Sequence, residues 1–253
     1  MGENAMNEIY EYLNIPSDSN TGSIIKEFYG SIEAKDLFFQ YPQTKNPIFE
    51  SLNLNFSAGD VISVIGSNGS GKSTLMNVFA SVLELSRGSI MIDDIELAQL
   101  SKTWYRSQIA FSPQEPKFID GSIKDNLIGS NEIKEIDFKN ILIEVDLINY
   151  INSREKGLNT LLEDRGETLP VGIRKRMSLA RAMINRGQLI ILDEPTEGLD
   201  ITGKEKVKNL INNEKQKKKT IIIATNDQEI INLSHILVDM NSKPKPSIAR
   251  VKK

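Results

Sequence analysis

The sequence has no cysteine, so disulfides and Cys-ligated metals are excluded and the cytosol is the default compartment. It has no long apolar run either: residues 189–192 and 221–224 fall far short of the roughly 20 residues that a membrane-spanning helix needs. The opening, MGENAMNEIYEYL, lacks a basic region followed by an apolar stretch and does not read as a signal peptide. Neither charge dominates. With 31 basic against 34 acidic side chains, the net charge of −3 gives no global field to recruit nucleic acid or a membrane surface, so partners must be recognised locally. No repeat of fixed period stands out. What is present suffices for a core: 253 residues, 39% of them hydrophobic, can form one large domain or a domain with a subdomain.

The most informative segment is GSNGSGKST: Gly66, Ser67, Asn68, Gly69, Ser70, Gly71, Lys72, Ser73 and Thr74. The apolar run at 61–65 before it reads as a buried strand, and Leu75, Val78, Phe79 and Val82 after it recur at helical spacing. A glycine-rich loop between strand and helix is the setting of a phosphate-binding loop. Its glycines let the backbone turn tightly and bring several N–H groups to phosphate oxygens, and the helix N-terminus adds roughly half a positive charge. Lys72 is placed to reach the β- and γ-phosphates as a point charge, and the Ser73 hydroxyl to coordinate Mg²⁺, so ATP and Mg²⁺ are the implied ligands.

Residues 1 to about 30 are polar, with a short amphipathic stretch (Ile9, Tyr10, Leu13) ending near Pro16 and a linker-like SDSNTGS. Strand patterns at 32–41 and 48–56, separated by the turn-rich 42–47, predict a small β layer ahead of the loop. Between Phe118 and Leu169 the pattern is mostly helical, with Phe138, Ile141, Leu142, Val145 and Ile148 spaced by three and four, and reads as a helical insertion. A helix carrying Ile173, Met177, Ala180 and Ile184 follows, then a buried strand at 189–192, a helix near 202–217 and a buried strand at 221–224. Strands alternating with helices predict an α/β fold with a parallel sheet. The basic run 215–219 reads as a solvated helix end, and the basic tail 242–253 as a frayed terminus. The strand at 189–192 runs straight into Asp193-Glu194-Pro195-Thr196, placing two carboxylates at the end of a sheet strand where α/β folds bind ligands. Asp193 suits the Mg²⁺ shell, and Glu194 suits a water aimed at the γ-phosphate.

In this order and spacing, GSNGSGKST, Gln114 in SPQEP and ILDEPTEGLD resemble the nucleotide-binding domain of ABC transporters, over about residues 31–240. The resemblance implies a P-loop NTPase (RecA-like) parallel-sheet core with an antiparallel β layer and an inserted α-helical subdomain at about 115–172. The domain would span 31–253, after a linker at 1–30 and with the basic tail at about 242–253. It further implies a transport-coupled ATPase with Glu194, Lys72, Gln114 and Asn226 as catalytic positions and Ser73, Gln114 and Asp193 as Mg²⁺ ligands. Tyr41, in FFQYP, would stack on adenine, which suits an aromatic ring ahead of the loop; covering a strand end is its other role. Gln114 matches the glutamine near the joint with the helical subdomain, where transmembrane domains couple. GSIEAKDLFFQYP and LLEDRGETL, whose Asp164-Arg165-Gly166 lies two residues before the signature, are similar to exporters. WYRSQIAFSPQEPKFIDGSIKDN is similar to exporters of peptides and proteins, including type I secretion systems, and NEIYEYLNIPSD to the connection from a last membrane helix. The implied partners are a second nucleotide-binding domain and the transmembrane domain of the same transporter, with no nucleic acid. Membrane contact would come only through the parent transporter, at the cytoplasmic face of the cell membrane, the isolated domain being soluble.

Two departures from the family pattern bear on activity. The signature LSGGQ is represented by Leu169, Pro170, Val171, Gly172 and Ile173, keeping only the leucine and the second glycine. In the family's ATP sandwich dimer the signature clamps the γ-phosphate bound to the opposite subunit. Pro170 supplies neither hydroxyl nor N–H, Val171 adds bulk where close backbone approach is wanted, and Ile173 lacks the amide. In ATND, residues 224–227, Asn226 replaces the switch histidine; it can donate a hydrogen bond but cannot carry a proton. The only histidine, His235, lies nine residues on and reads as structural. A smaller change is Glu197-Gly198-Leu199-Asp200 for Ser-Ala-Leu-Asp. A homodimer combines both losses in each site, whereas a heterodimer with an intact partner signature keeps one site nearly complete. Two functions therefore stand side by side. One is a motor domain driving export by ATP hydrolysis, with low activity in isolation; the other is the ATP-binding regulatory half of a heterodimeric transporter. Glu194 favours the first and Pro170 the second.

Overall fold

Strands with almost no polar interruption need cover on both faces, and three such strands form the middle of the larger sheet. In the computed structural model, which describes residues 22–129 and 131–251, the chain begins with Ile32–Phe39 (β1), Phe49–Phe56 (β2) and Val61–Ile65 (β3). The amphipathic stretch expected at Ile9 to Leu13 lies outside the described residues. Ile109–Ser112 (β6), Leu189–Asp193 (β9), Thr220–Ala224 (β10), Ile236–Asp239 (β11) and Ser247–Arg250 (β12) join β3 in a six-stranded sheet of order β12-β11-β3-β10-β9-β6. Every pairing is parallel except β11 with β12. Along β10, Ile222 and Ala224 enter one core while Ile221 and Ile223 enter the other; along β9, Leu189 and Ile191 oppose Ile190 and Leu192. The period-two alternation of a strand is thus hidden in the sequence because both faces are apolar.

The first core lies under a second, antiparallel sheet in which β1 pairs with β2 and with Arg87–Ile92 (β4), and β4 with Ile95–Glu96 (β5). Phe49, Phe56 and Tyr105 fill it together with the helix Lys72–Phe79 (α1), and the Tyr105 hydroxyl donates to Phe79 O at 2.8 Å. The chain leaves α1 through Ser81 at φ 54°, so Val82, placed by its spacing on the buried helix face, is 54% exposed instead. Lys102–Gln108 (α2) leads into β6.

The second core holds the helical insertion. Gly121–Ser122 (β7) pairs with Leu161–Leu162 (β8), and between them run Ile123–Ile128 (α3), Glu135–Glu144 (α4) and Ile148–Asn152 (α5). Ser122 and Asp125 close a reciprocal capping box at the start of α3. The spacing of Phe138, Leu142, Val145 and Ile148 spans two helices rather than one, because Asp146 takes φ 57° between them. Val171–Ile184 (α6) connects this core to the sheet, with Ile173, Met177, Ala180 and Ile184 all buried as the periodicity predicts. Ile201–Gln216 (α7) and Gln228–Ile231 (α8) complete the fold.

Two basic segments behave differently from expectation. Residues 247–250 do not fray: they form β12, which pairs with β11 and covers its otherwise open edge. The run at 215–219 is not merely solvated, since Lys217 and Lys219 reach the buried Glu214 carboxylate at 2.6 and 2.8 Å, and Lys215 donates to Leu233 O. Burial pushes the Glu214 carboxyl up, but the two lysines outweigh it and hold it below the usual glutamate value. A depressed folded-state pKa contributes stability that is complete above the ordinary glutamate range and lost as pH falls through the depressed value. Glu214→Gln should therefore lower the unfolding free energy by about 1–3 kcal/mol at neutral pH and by less in acid. Urea titrations at the two pH values check this, and equal stability of variant and wild type at neutral pH would refute it.

Candidate functional site

β3 ends at Ile65, and the chain turns through the glycine-rich loop into α1. Gly71 caps the helix at φ 104°, and a Cβ there would stand 2.3 Å from Ile48 Cγ2; at Gly66, with φ 149°, it would stand 2.6 Å from Ser70 Oγ. Neither position admits a side chain. The loop wraps the Lys72 ammonium, only 6% exposed, whose Nζ donates to Gly66 O at 2.7 Å and lies 3.2 Å from Glu194 Oε1. The lysine and the glutamate of two distant motifs therefore meet across the loop.

Asp193 is the last residue of β9 and is 2% exposed; burial pushes its carboxyl up, with the Ser73 hydroxyl and Lys175 opposing the shift. Its Oδ1 is buried without a hydrogen-bond partner. Ser73 Oγ donates to Gln114 Oε1 at 3.2 Å. An orphaned carboxylate oxygen beside a hydroxyl and an amide oxygen is a hard donor set, and these residues fit Mg²⁺. Glu194 follows at φ 46°, its N–H donating to Ala224 O at 2.9 Å.

Tyr41 lies just beyond β1, with its hydroxyl 3.1 Å from Thr74 Oγ1 and its ring edge-on to Phe39 at 4.9 Å. It borders a cavity of about 430 Å³ that the loop, Ile48 and Gln114 also line. A second cavity, of about 440 Å³, shares Asn68 and is lined by Glu194, Glu197, Gly198 and Asn226. The Asn226 amide is tied to the loop at both ends, Oδ1 accepting from Gly66 N at 3.2 Å and Nδ2 donating to Gly66 O at 2.9 Å. His235 stands at the start of β3, where its Nδ1 accepts from Val61 N–H and lies 3.3 Å from Asp60.

Among the described residues, none of Leu169, Pro170, Val171, Gly172 and Ile173 lines either cavity. Pro170 caps α6 without a side-chain hydrogen bond, where a hydroxyl residue would supply one. Val171 is half exposed and packs on the turn after β9, its Cγ1 2.8 Å from where a Cβ on Gly198 would be. Ile173, the signature's last residue and also the first of the apolar helix stripe, is 9% exposed and turned into the second core.

Four residues without an expected site role also reach the site. Lys175, 2% exposed, donates to Gln114 O at 2.7 Å and approaches Asp193 O at 3.4 Å; burial lowers its pKa, while Glu197, Asp193 and Glu194 oppose the shift. Glu197 Oε2 accepts from Gln114 Nε2 at 3.0 Å. Asn241 Oδ1 accepts from Ser67 N–H at 2.9 Å, and Lys243 Nζ contacts Gly69 O at 3.3 Å, so the turn between β11 and β12 buttresses the loop. Only Glu197 stands out in the sequence, as a departure in Glu197-Gly198-Leu199-Asp200; Lys175, two residues from both Ile173 and Met177, falls off their helical stripe.

A phosphate loop leading into a helix, with a buried carboxylate at the end of a nearby strand, defines a P-loop nucleotide-binding domain. Residues 49–197 match the ABC transporter family, to which the chain belongs. It is homologous to the ATP-binding domains of B-family exporters. It is 34% identical over 221 residues to ABC transporter B family member 1 of Dictyostelium discoideum, covering 86% of this chain and 24% of that protein. It is 28% identical over 232 residues to the leukotoxin export ATP-binding protein LtxB of Aggregatibacter actinomycetemcomitans, covering 90% and 32%. It is 29% identical over 223 residues to the ATP-dependent lipid A-core flippase of Wigglesworthia glossinidia brevipalpis, covering 87% and 38%. The chain thus spans less than two fifths of the length of these relatives. In fold it matches the structure of a bacterial Atm1-family ABC exporter with ATP bound, at a TM-score of 0.85 and 19% identity, over 97% of this chain and 44% of that one.

The burial of Ile173 makes one consequence measurable. Ile173→Gln, which restores the family's residue, places an amide in an apolar core and should cost about 1–3 kcal/mol of stability. A urea midpoint equal to or above that of wild type would show that the position is open to solvent.

Proposed function

We propose that this chain binds Mg²⁺-ATP on the loop of Gly66 to Thr74 and hydrolyses it slowly, as the motor domain of an exporter of peptide or protein cargo. The observation that carries this is the convergence of Lys72, Ser73, Gln114, Asp193 and Glu194, from three segments, at one site. The loop's N–H groups and Lys72 hold the β- and γ-phosphates, and Tyr41 offers its ring to the base. Ser73, Gln114 and Asp193 hold the cation, which when bound neutralises phosphate charge. In the protein alone Lys72 is engaged by Gly66 O and Glu194; phosphate oxygens compete for the ammonium, and Glu194 is left to accept a proton from the attacking water. Asn226, held by Gly66, supports the loop from behind and serves nucleotide binding through it.

Leu169 to Ile173 serve a second nucleotide-binding domain, and a transmembrane domain of the parent transporter, at the cytoplasmic face of the membrane, receives the motion. No helix among the described residues is long and apolar enough to cross a membrane itself. Likeness to the leukotoxin exporter and the segment around SPQEP support a protein cargo; likeness to the lipid A-core flippase favours a lipid as its competitor. A regulatory role with little hydrolysis is the second reading, favoured by the uncapped Pro170 and the inward Ile173.

Calorimetry should show ATP binding weakened at least about tenfold in Lys72→Ala with the fold retained, because a charge-assisted contact to phosphate is removed. Phosphate release by wild type above that of Glu194→Gln supports the motor; equal rates with intact binding leave the regulatory role. Asn226→Ala should weaken ADP and ATP by similar factors, about three- to tenfold, since its contacts are to the loop. A loss confined to ATP would instead place Asn226 on the γ-phosphate.

A further inference from the structure

We propose that Lys175 and Glu197 form a two-ended clasp on Gln114 that presets its side-chain oxygen for the divalent cation, making both of them positioning residues of this site. The proposal rests on Ser73, Gln114 and Asp193 being the cation's ligands. Lys175 lies in the first turns of α6, where a buried ammonium must find oxygen acceptors. It finds the main chain of Gln114 at 2.7 Å and that of Asp193 at 3.4 Å, tying the Gln114 segment to the end of β9. A buried cation whose hydrogen bonds are to carbonyls stabilises the fold no better than an apolar side chain of similar length would. Its value lies in what it holds.

Glu197 takes the other end. A carboxylate can only accept, so it must face Nε2 of the Gln114 amide, at 3.0 Å, and this leaves Oε1 turned to Ser73 Oγ at 3.2 Å. Without that carboxylate nothing in the Ser73 contact distinguishes the two ends of the amide, since a hydroxyl can donate or accept. The chain Glu197–Gln114–Ser73 thus selects the orientation that offers oxygen to a cation. It also orders the glutamine on folding rather than on binding, which favours affinity by preorganisation. Glu197 N–H donates to Glu194 O at 3.2 Å, so the same turn carries the clasp and the water-activating glutamate.

The test is Mn²⁺ binding to the 253-residue chain in saturating ADP, read by electron paramagnetic resonance, with ADP affinity in EDTA as the control. Glu197→Ala should raise the Mn²⁺ dissociation constant about three- to tenfold, the effect of one lost hydrogen bond. Glu197→Gln keeps an oxygen acceptor and should stay within about twofold of wild type. In a Gln114→Ala background, Glu197→Ala should add nothing. Lys175→Met should weaken Mn²⁺ in the same range; if it does not fold, the Glu197 series decides alone. Within each Gln114 background, ADP affinity in EDTA should not change with the Glu197 substitution. An unchanged Mn²⁺ constant in Glu197→Ala overturns the clasp, as does an equal loss in Glu197→Gln, which would mean charge acting at a distance. A full loss persisting without Gln114 overturns it too. If wild type in ADP binds no Mn²⁺ at all, the assignment of Ser73, Gln114 and Asp193 fails and the clasp falls with it, an outcome distinct from wild-type binding that Glu197→Ala leaves unchanged.

Discussion

Parallel register among buried strands is the constraint on which the rest depends. β3, β10 and β9 lie side by side with Val64 opposite Ala224 and Ala224 opposite Asp193, so all three chains leave the sheet at one edge. From that edge come the phosphate loop, the Asn226 amide and the Asp193-Glu194 pair. The strands' apolar faces are covered on both sides, so polar groups can leave the sheet only at its ends. The site is thus a consequence of burial.

Around that edge the protein keeps charges where they are costly. Lys72, Asp193 and Lys175 are all nearly inaccessible to water, and Asp193 Oδ1 lacks a hydrogen-bond partner. Buried ions of this kind weaken a fold unless their partners are complete. Here both lysines have acceptors while Asp193 Oδ1 has no partner, the pattern expected where an outside cation supplies the missing contact.

The departures from the family pattern have local structural counterparts. Val171 sits against Gly198, where no side chain would fit, and Ile173 joins the helical core. Asn226 bonds both polar groups of Gly66. Val171, Ile173 and Asn226 are each accommodated within this chain, so restoring the family residue singly at any of the three removes an existing contact along with whatever it returns. Non-additive behaviour between neighbouring substitutions follows from that.

The sequence by itself determined the loop, the strands on either side of it, the helix after it and the carboxylates at the end of β9, because each is written in contiguous residues as an apolar run, a glycine spacing or a helical period. Tertiary structure alone decided what depends on chain segments far apart. The pairing of β12 with β11 became visible only once β11 proved to be an edge, and Lys217 and Lys219 became a lock only once Glu214 proved to be buried. The same holds within the site. Glu197 was visible only as a departure from the family pattern and Lys175 not at all until the fold brought Gln114 between them, and hydrogen bonds across 83 and 61 residues leave no local period in a sequence.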